Sequence, residues 1–130
     1  MVIKNMVKHR ILVVDDEQRI LNFLRISLMV SGYDVFTSMT GQDALSMVED
    51  MVPDLVVLDI RLPGKNGLEV LKQIRASSDL PVIVISARIE YTEEALRLGA
   101  SGFIVKPFHP DELTKKIEVI LSERKQYDTI

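Results

Sequence analysis

The feature that most constrains this chain is a fivefold alternation between two hydrophobic periods. Short runs rich in Val, Ile and Leu fall at Ile11–Val14, Tyr33–Thr37, Leu55–Leu58, Val82–Ile85 and Gly102–Val105. Between them, apolar residues return at helical spacing: Ile20, Leu24 and Leu28, then Ala44, Leu45, Val48 and Met51, then Leu68, Leu71 and Ile74. The pattern predicts a short fourth helix over Glu93–Leu98 and a fifth from Pro110 to about Ser122, with Leu113, Ile117, Ile120 and Leu121 facing inward. Three of the short runs are nearly continuous rather than alternating, as expected of strands in a parallel sheet covered by helices on both faces. The expected fold is therefore α/β, an open five-stranded parallel sheet, doubly wound, with right-handed crossovers and five helices.

Boundary residues agree with these periods. Thr40 followed by Asp43 resembles a capping box, Pro110 suits a first helical turn, and Gly32 and Gly99 stand where helices close. A chain of 130 residues suits one hydrophobic core. We divide it into an N-terminal arm at 1–9, a single domain at 10–122 and a C-terminal tail at 123–130. Only about eight residues follow the fifth helix, so the expectation is a stand-alone domain, although a piece of a longer protein would look the same.

The formal net charge of −3, with acids and bases interspersed, gives no field suited to a phosphate backbone, so direct nucleic-acid binding is not expected. There is no cysteine, which removes disulfides, thiolate metal sites and thiol nucleophiles and suits a reducing cytoplasm. The longest apolar runs fall far short of the ~20 residues that cross a bilayer, and the first ten residues lack the apolar core of a secretory signal.

The predicted strand ends carry the chemistry. The first strand ends in Asp15 and Asp16, the third in Asp59, the fourth in Ser86 and the fifth in Lys106. In a parallel sheet these ends share one edge, the edge where open α/β sheets bind ligands. Three carboxylates placed together would repel and raise one another's pKa, so the arrangement calls for a cation. Oxygen ligands with room for water suit Mg2+. A carboxylate beside such an ion can act as a nucleophile toward a phosphoryl group, with Lys106 and Ser86 offsetting charge on its oxygens.

Taken singly, these residues are weak signals. Asp16 alone, just ahead of a helix, reads first as a cap, and a lone strand-end lysine is ordinarily a solvated surface group. Pro107, directly after Lys106, can hold a cis bond or simply a turn. Phe103 can be a fixed core aromatic or a movable one. His9 and His109 look ordinary. The joint pattern carries the reading.

The segments ILVVDDE (Ile11–Glu17), DLVVLDIRLPGKNG (Asp54–Gly67), PVIVISA (Pro81–Ala87) and GASGFIVKPF (Gly99–Phe108) together resemble the signature blocks of response-regulator receiver domains of two-component signalling, in the right order and across about Arg10–Leu121. The resemblance implies a flavodoxin-like strand order 2-1-3-4-5. It implies phosphorylation of Asp59 by a phosphohistidine of a sensor histidine kinase or a histidine phosphotransferase. Magnesium would be held by Asp15, Asp16, Asp59 and the Arg61 carbonyl, with Asp15 acting through water. Lys106 would contact the phosphoryl oxygen, and Ser86 and Phe103 would form the switch pair. Readout would fall on a face including Glu93, Arg97, Phe103 and Glu112, toward a downstream protein target not named by the sequence. The protein would be cytoplasmic, monomeric or a phosphorylation-dependent dimer, and would catalyse only its own phosphorylation and dephosphorylation.

Two departures from the family pattern stand out. The stretch from Ser86 to Gly99 is a couple of residues short, which puts the fourth helix in question. Arg61 and Arg88, two residues past Asp59 and Ser86, overhang the expected site and are candidates for tuning phosphoryl lifetime. Competing readings are a magnesium-dependent aspartyl-phosphate phosphohydrolase, disfavoured by the adjacency of Asp15 and Asp16 and the lack of a cap insertion, a nucleotide switch, which lacks the G-x-x-x-x-G-K-[ST] loop, and a receiver-like module that is never phosphorylated.

Overall fold

In the computed structural model, which describes residues 8–128, five parallel strands alternate with five helices. The strands are β1 (Arg10–Val14), β2 (Asp34–Ser38), β3 (Leu55–Asp59), β4 (Val82–Ser86) and β5 (Gly102–Val105). The helices are α1 (Gln18–Val30), α2 (Gly41–Met51), α3 (Gly67–Ser77), α4 (Thr92–Arg97) and α5 (Pro110–Asp128). The sheet order is β2-β1-β3-β4-β5, so both the topology and the strand positions match expectation, with β2 displaced by one residue. The expected arm falls outside the described residues except for Lys8 and His9.

Strand alternation sends side chains to two cores. Leu12, Val14, Val56, Leu58, Val82 and Val84 face one side, where they meet Ala44, Leu71, Ile74 and Ala95 from α2, α3 and α4. Ile11, Val13, Leu55, Val57, Ile83 and Ile85 face the other, where they meet Leu21, Leu24 and Leu28 of α1 and Leu113, Ile117 and Leu121 of α5. Each such aliphatic side chain contributes roughly 1.5–3 kcal/mol on burial, and because both faces are covered the central strands lose their polar alternation.

The caps are partly as expected. Thr40 Oγ1 accepts from Asp43 N–H at 3.1 Å, which starts α2, and Asn66 Oδ1 does the same for Glu69 N–H at the head of α3, a cap the sequence reading did not single out. Gly32 and Gly99 close α1 and α4 with φ of 100° and 101°. Helix α2 instead closes on Val52, a β-branched residue at φ 50°. Two elements differ from expectation. A single 3-10 turn, Ile89–Tyr91, not expected from the sequence, precedes α4, which is six residues long as expected and begins one residue early. Helix α5 continues to Asp128 rather than stopping near Ser122, because Glu123–Tyr127 holds neither glycine nor proline to end it.

Candidate functional site

Strand register brings the chemistry-bearing residues to one edge. Val14 pairs with Leu58, so Asp15 and Asp59 stand level on neighbouring strands. Asp59 pairs with Ile85 and Ser86 with Val105, which puts Ser86 and Lys106 one step further along the same edge. Residues at or just past the ends of β1, β3, β4 and β5 line a cavity of about 790 Å³, among them Asp16, Asp59, Arg61, Ser86, Arg88 and Lys106.

The Lys106 ammonium lies between two carboxylates, 3.0 Å from Asp15 Oδ2 and 3.0 Å from Asp59 Oδ2. The two oxygens are therefore at most twice that distance apart. Asp15 is fully buried and Asp59 and Ser86 are nearly so. Burial of charged groups is costly unless they are paired, and Lys106 supplies the pair for both acids. Burial, and then the negative charge of Asp15, push the Asp59 carboxyl up to about 6 from an ordinary 3.8, against the pull of the Lys106 hydrogen bond and charge and of the Arg61 N–H that donates to its Oδ1 at 3.3 Å. Burial alone would lower the Lys106 pKa, but its hydrogen bonds and charge pairing with Asp15 and Asp59 outweigh this and hold it above its ordinary value.

The acids ahead of α1 form a second feature. Carboxylate oxygens of Asp15, Asp16 and Glu17 lie within 4.8 Å of one another. Glu17 N–H donates to Asp15 Oδ1 at 2.9 Å, which fixes the turn. Asp16 does not cap the helix: the N-cap residue is Glu17, with no side-chain cap bond, so the carboxylate of Asp16 remains exposed at the cavity. Glu17 was not among the residues singled out from sequence, although the run of three consecutive acids was the signal for it. A cluster of hard, oxygen-only donors, one buried and two facing water, suits Mg2+ in its donor chemistry.

The remaining expected residues fall as follows. Ser86 Oγ lines the cavity and accepts from Arg88 N–H at 3.0 Å. Phe103 is half-buried and packs against the core on the α4 side. The Lys106–Pro107 peptide is cis. Arg61 and Arg88 both reach the cavity lining and are exposed. The loop from Asp59 to α3 folds back on itself through a Gly67 N–H to Ile60 carbonyl bond of 2.8 Å. A Cβ at Gly67 would collide with the Asp59 carbonyl and lie 2.7 Å from Ile60 Cα, so only glycine permits this approach.

Comparison with known proteins agrees with this geometry. A family model described as the response regulator receiver domain matches residues 11–118. The alkaline phosphatase synthesis transcriptional regulatory protein PhoP of Bacillus subtilis is 42% identical over 115 residues, which cover 86% of this chain and 48% of that protein. The chain spans about half the length of the curated relatives it matches. Among solved structures, a CheY-like receiver domain protein from Methanospirillum hungatei superposes with a TM-score of 0.87 at 31% identity, covering 93% of this chain and 99% of that one. The receiver domain of NtrX from Brucella abortus does so with a TM-score of 0.81 at 39% identity, over 86% and 98%. These matches favour neither the phosphohydrolase nor the nucleotide-switch alternative. The chain belongs to the response regulator receiver domain family, whose shared role in two-component signalling is to accept a phosphoryl group.

Proposed function

We propose that Asp59 is the phosphoacceptor and that the chain is switched by a phosphohistidine on a sensor histidine kinase or histidine phosphotransferase. The observation that supports it is the position of Lys106: one ammonium spans the Asp15 and Asp59 carboxylates at the strand edge, at 3.0 Å from each. Asp59 Oδ would attack phosphorus as the phosphorus–nitrogen bond of the donor breaks, the electron pair leaving with the imidazole, which takes up a proton. Lys106 would follow the added charge and bind a phosphoryl oxygen, and the Ser86 hydroxyl would donate to another. Hydrolysis would return the site to its starting state, so the domain catalyses its own turnover rather than processing a pool of substrate.

Asp15, Asp16, Asp59 and the Arg61 carbonyl would hold Mg2+, with Glu17 within reach through water. The ion would supply positive charge opposite the phosphoryl oxygens. With the acceptor modified, Ser86 moving toward the phosphoryl group would leave space for Phe103 to turn inward, and the face carrying Glu93, Arg97 and Glu112 would change. A downstream protein, or a second copy of the domain in a phosphorylation-dependent dimer, would read that face. The reading places the domain from residue 10 to the end of α5, in the cytoplasm with its kinase, without direct contact with nucleic acid. Among the described residues no helix is long and apolar enough to cross a membrane.

Incubation with Mg2+ and acetyl phosphate, followed by intact-mass measurement, tests the assignment. One added phosphoryl group is expected on the wild type and none on Asp59→Asn. An equal gain on both proteins would sink it.

A further inference from the structure

Arg88 is tethered at the rim of the cavity but engaged elsewhere. Its backbone N–H is bonded to Ser86 Oγ at 3.0 Å, and the residue lines the same cavity as Asp59, Ser86 and Lys106. The guanidinium, however, is turned to Glu90, with Nε 2.7 Å and Nη2 2.6 Å from the same carboxylate oxygen. It also lies over the Tyr91 ring at 5.7 Å from the centroid. Both side chains of the ion pair are more than half exposed, at 62% and 57%, so water screens it and breaking it costs little.

We propose that Arg88 is a movable anion-binding arm which leaves Glu90 for the phosphoryl oxygens when Asp59 is modified. The inference rests on the phosphoacceptor reading of Asp59 and adds to it a charge exchange specific to this chain. An acyl phosphate at neutral pH carries more negative charge than Glu90 and offers oxygens in the geometry a planar guanidinium binds in pairs. It also sits against the sheet edge, less exposed to water than Glu90, so attraction there is screened less. Arg88 therefore has a weak partner before modification and a stronger one afterwards, within the same cavity.

The exchange has a built-in readout. Tyr91 ends the 3-10 turn ahead of α4, and its ring packs against the core cluster that also holds Ala95 of α4 and Phe103 of β5. Withdrawing the guanidinium from over the Tyr91 ring frees that turn at the moment Ser86 changes partner. The shortness of α4 makes its first turn a large fraction of the helix, so a change there alters most of the surface it presents.

The test uses the full chain with Mg2+ and beryllium fluoride as a stable phosphoryl mimic, with affinity read by calorimetry. Arg88→Ala should weaken the mimic about tenfold, and Glu90→Gln, which removes the competitor, should tighten it by about threefold. The double variant should match Arg88→Ala, and Arg88→Lys should recover only part of the loss because it lacks the fork. If the pair served only to brace the loop, both single substitutions would shift affinity in the same direction. That result, or no shift in either, overturns the role of Arg88 while leaving the acceptor assignment standing. Tyr91 ring resonances should move on adding the mimic to the wild type and stay in place in Arg88→Ala; equal movement in both also overturns it. A wild type that neither binds the mimic nor takes a phosphoryl group from acetyl phosphate overturns both readings together.

Discussion

Replacing Asp59 by Asn should make the metal-free protein more stable at neutral pH, although it removes the group around which the site is built. The Asp59 carboxyl is raised from 3.8 to about 6 by burial and by the facing charge of Asp15, incompletely offset by Lys106. A carboxyl that holds its proton more tightly when folded takes up protons on folding between those two values, so its contribution to stability falls as pH rises through that window. Above about pH 6 the whole penalty is present, and below about pH 4 it is absent. Converted without screening, the rise corresponds to about 3 kcal/mol, and screening through the open cavity reduces this to about 1–2 kcal/mol. Asparagine keeps the shape and an acceptor oxygen for Lys106 while removing the charge. Urea unfolding of both proteins in the presence of a chelator, from about pH 4 to pH 8, should show a stability difference near zero at the acid end. The difference should open through about pH 5 and level off in favour of the variant near neutrality. Working with the difference cancels groups common to both. Saturating Mg2+ should shrink it by restoring the wild type. A difference that is constant with pH, or that favours the wild type at pH 7 without metal, would refute the account of Asp59 as a buried acid under repulsion.

Lys106→Ala should leave Asp15 and Asp59 facing each other without a cation, so Mg2+ should bind roughly tenfold more tightly by titration calorimetry while the yield of acyl phosphate falls. Val52→Gly should stabilise the fold by about 0.5–1 kcal/mol in urea unfolding, because a β-branched residue at φ 50° carries strain that exceeds the extra chain entropy of glycine. Gly67→Ala should lower stability by several kcal/mol and abolish phosphorylation, since the added methyl meets the Asp59 and Ile60 backbone, which cannot move without displacing the acceptor; mass spectrometry and thermal unfolding check the two effects. Asn66→Ala should cost about 1 kcal/mol by removing the α3 cap, with phosphoryl transfer largely retained.

The strands and most helices were legible because their periods are local properties of the chain. Leu55–Leu58 and Val82–Ile85 read as buried strands without any knowledge of what covers them, and Gly99 announced the end of α4. The extension of α5 to Asp128 was missed because helix ends without a breaker leave no local signal. The 3-10 turn at Ile89–Tyr91 was missed for a related reason: its sequence reads as helix or loop, and packing of Tyr91 against the α4-side core decides between them. The left-handed close of α2 at Val52 runs against the preference for glycine or asparagine and had no signature at all.

For the site, residue types and their order along the chain determined what could gather at the carboxyl edge: Asp15, Asp16, Asp59, Ser86 and Lys106 each end or follow a strand, and parallel pairing leaves them a single edge to occupy. Which of them touch was decided by tertiary structure. Register sets Asp15 level with Asp59, burial leaves both dependent on the Lys106 ammonium, and the start of α1 at a Glu17 N-cap leaves the Asp16 carboxylate out of the cap. The partner of Arg88 was equally beyond sequence, since Glu90 becomes its neighbour only through the turn that leads into α4. Hydrophobic period acts along the chain and survives without a fold, whereas distances between side chains from different strands exist only once the sheet has paired.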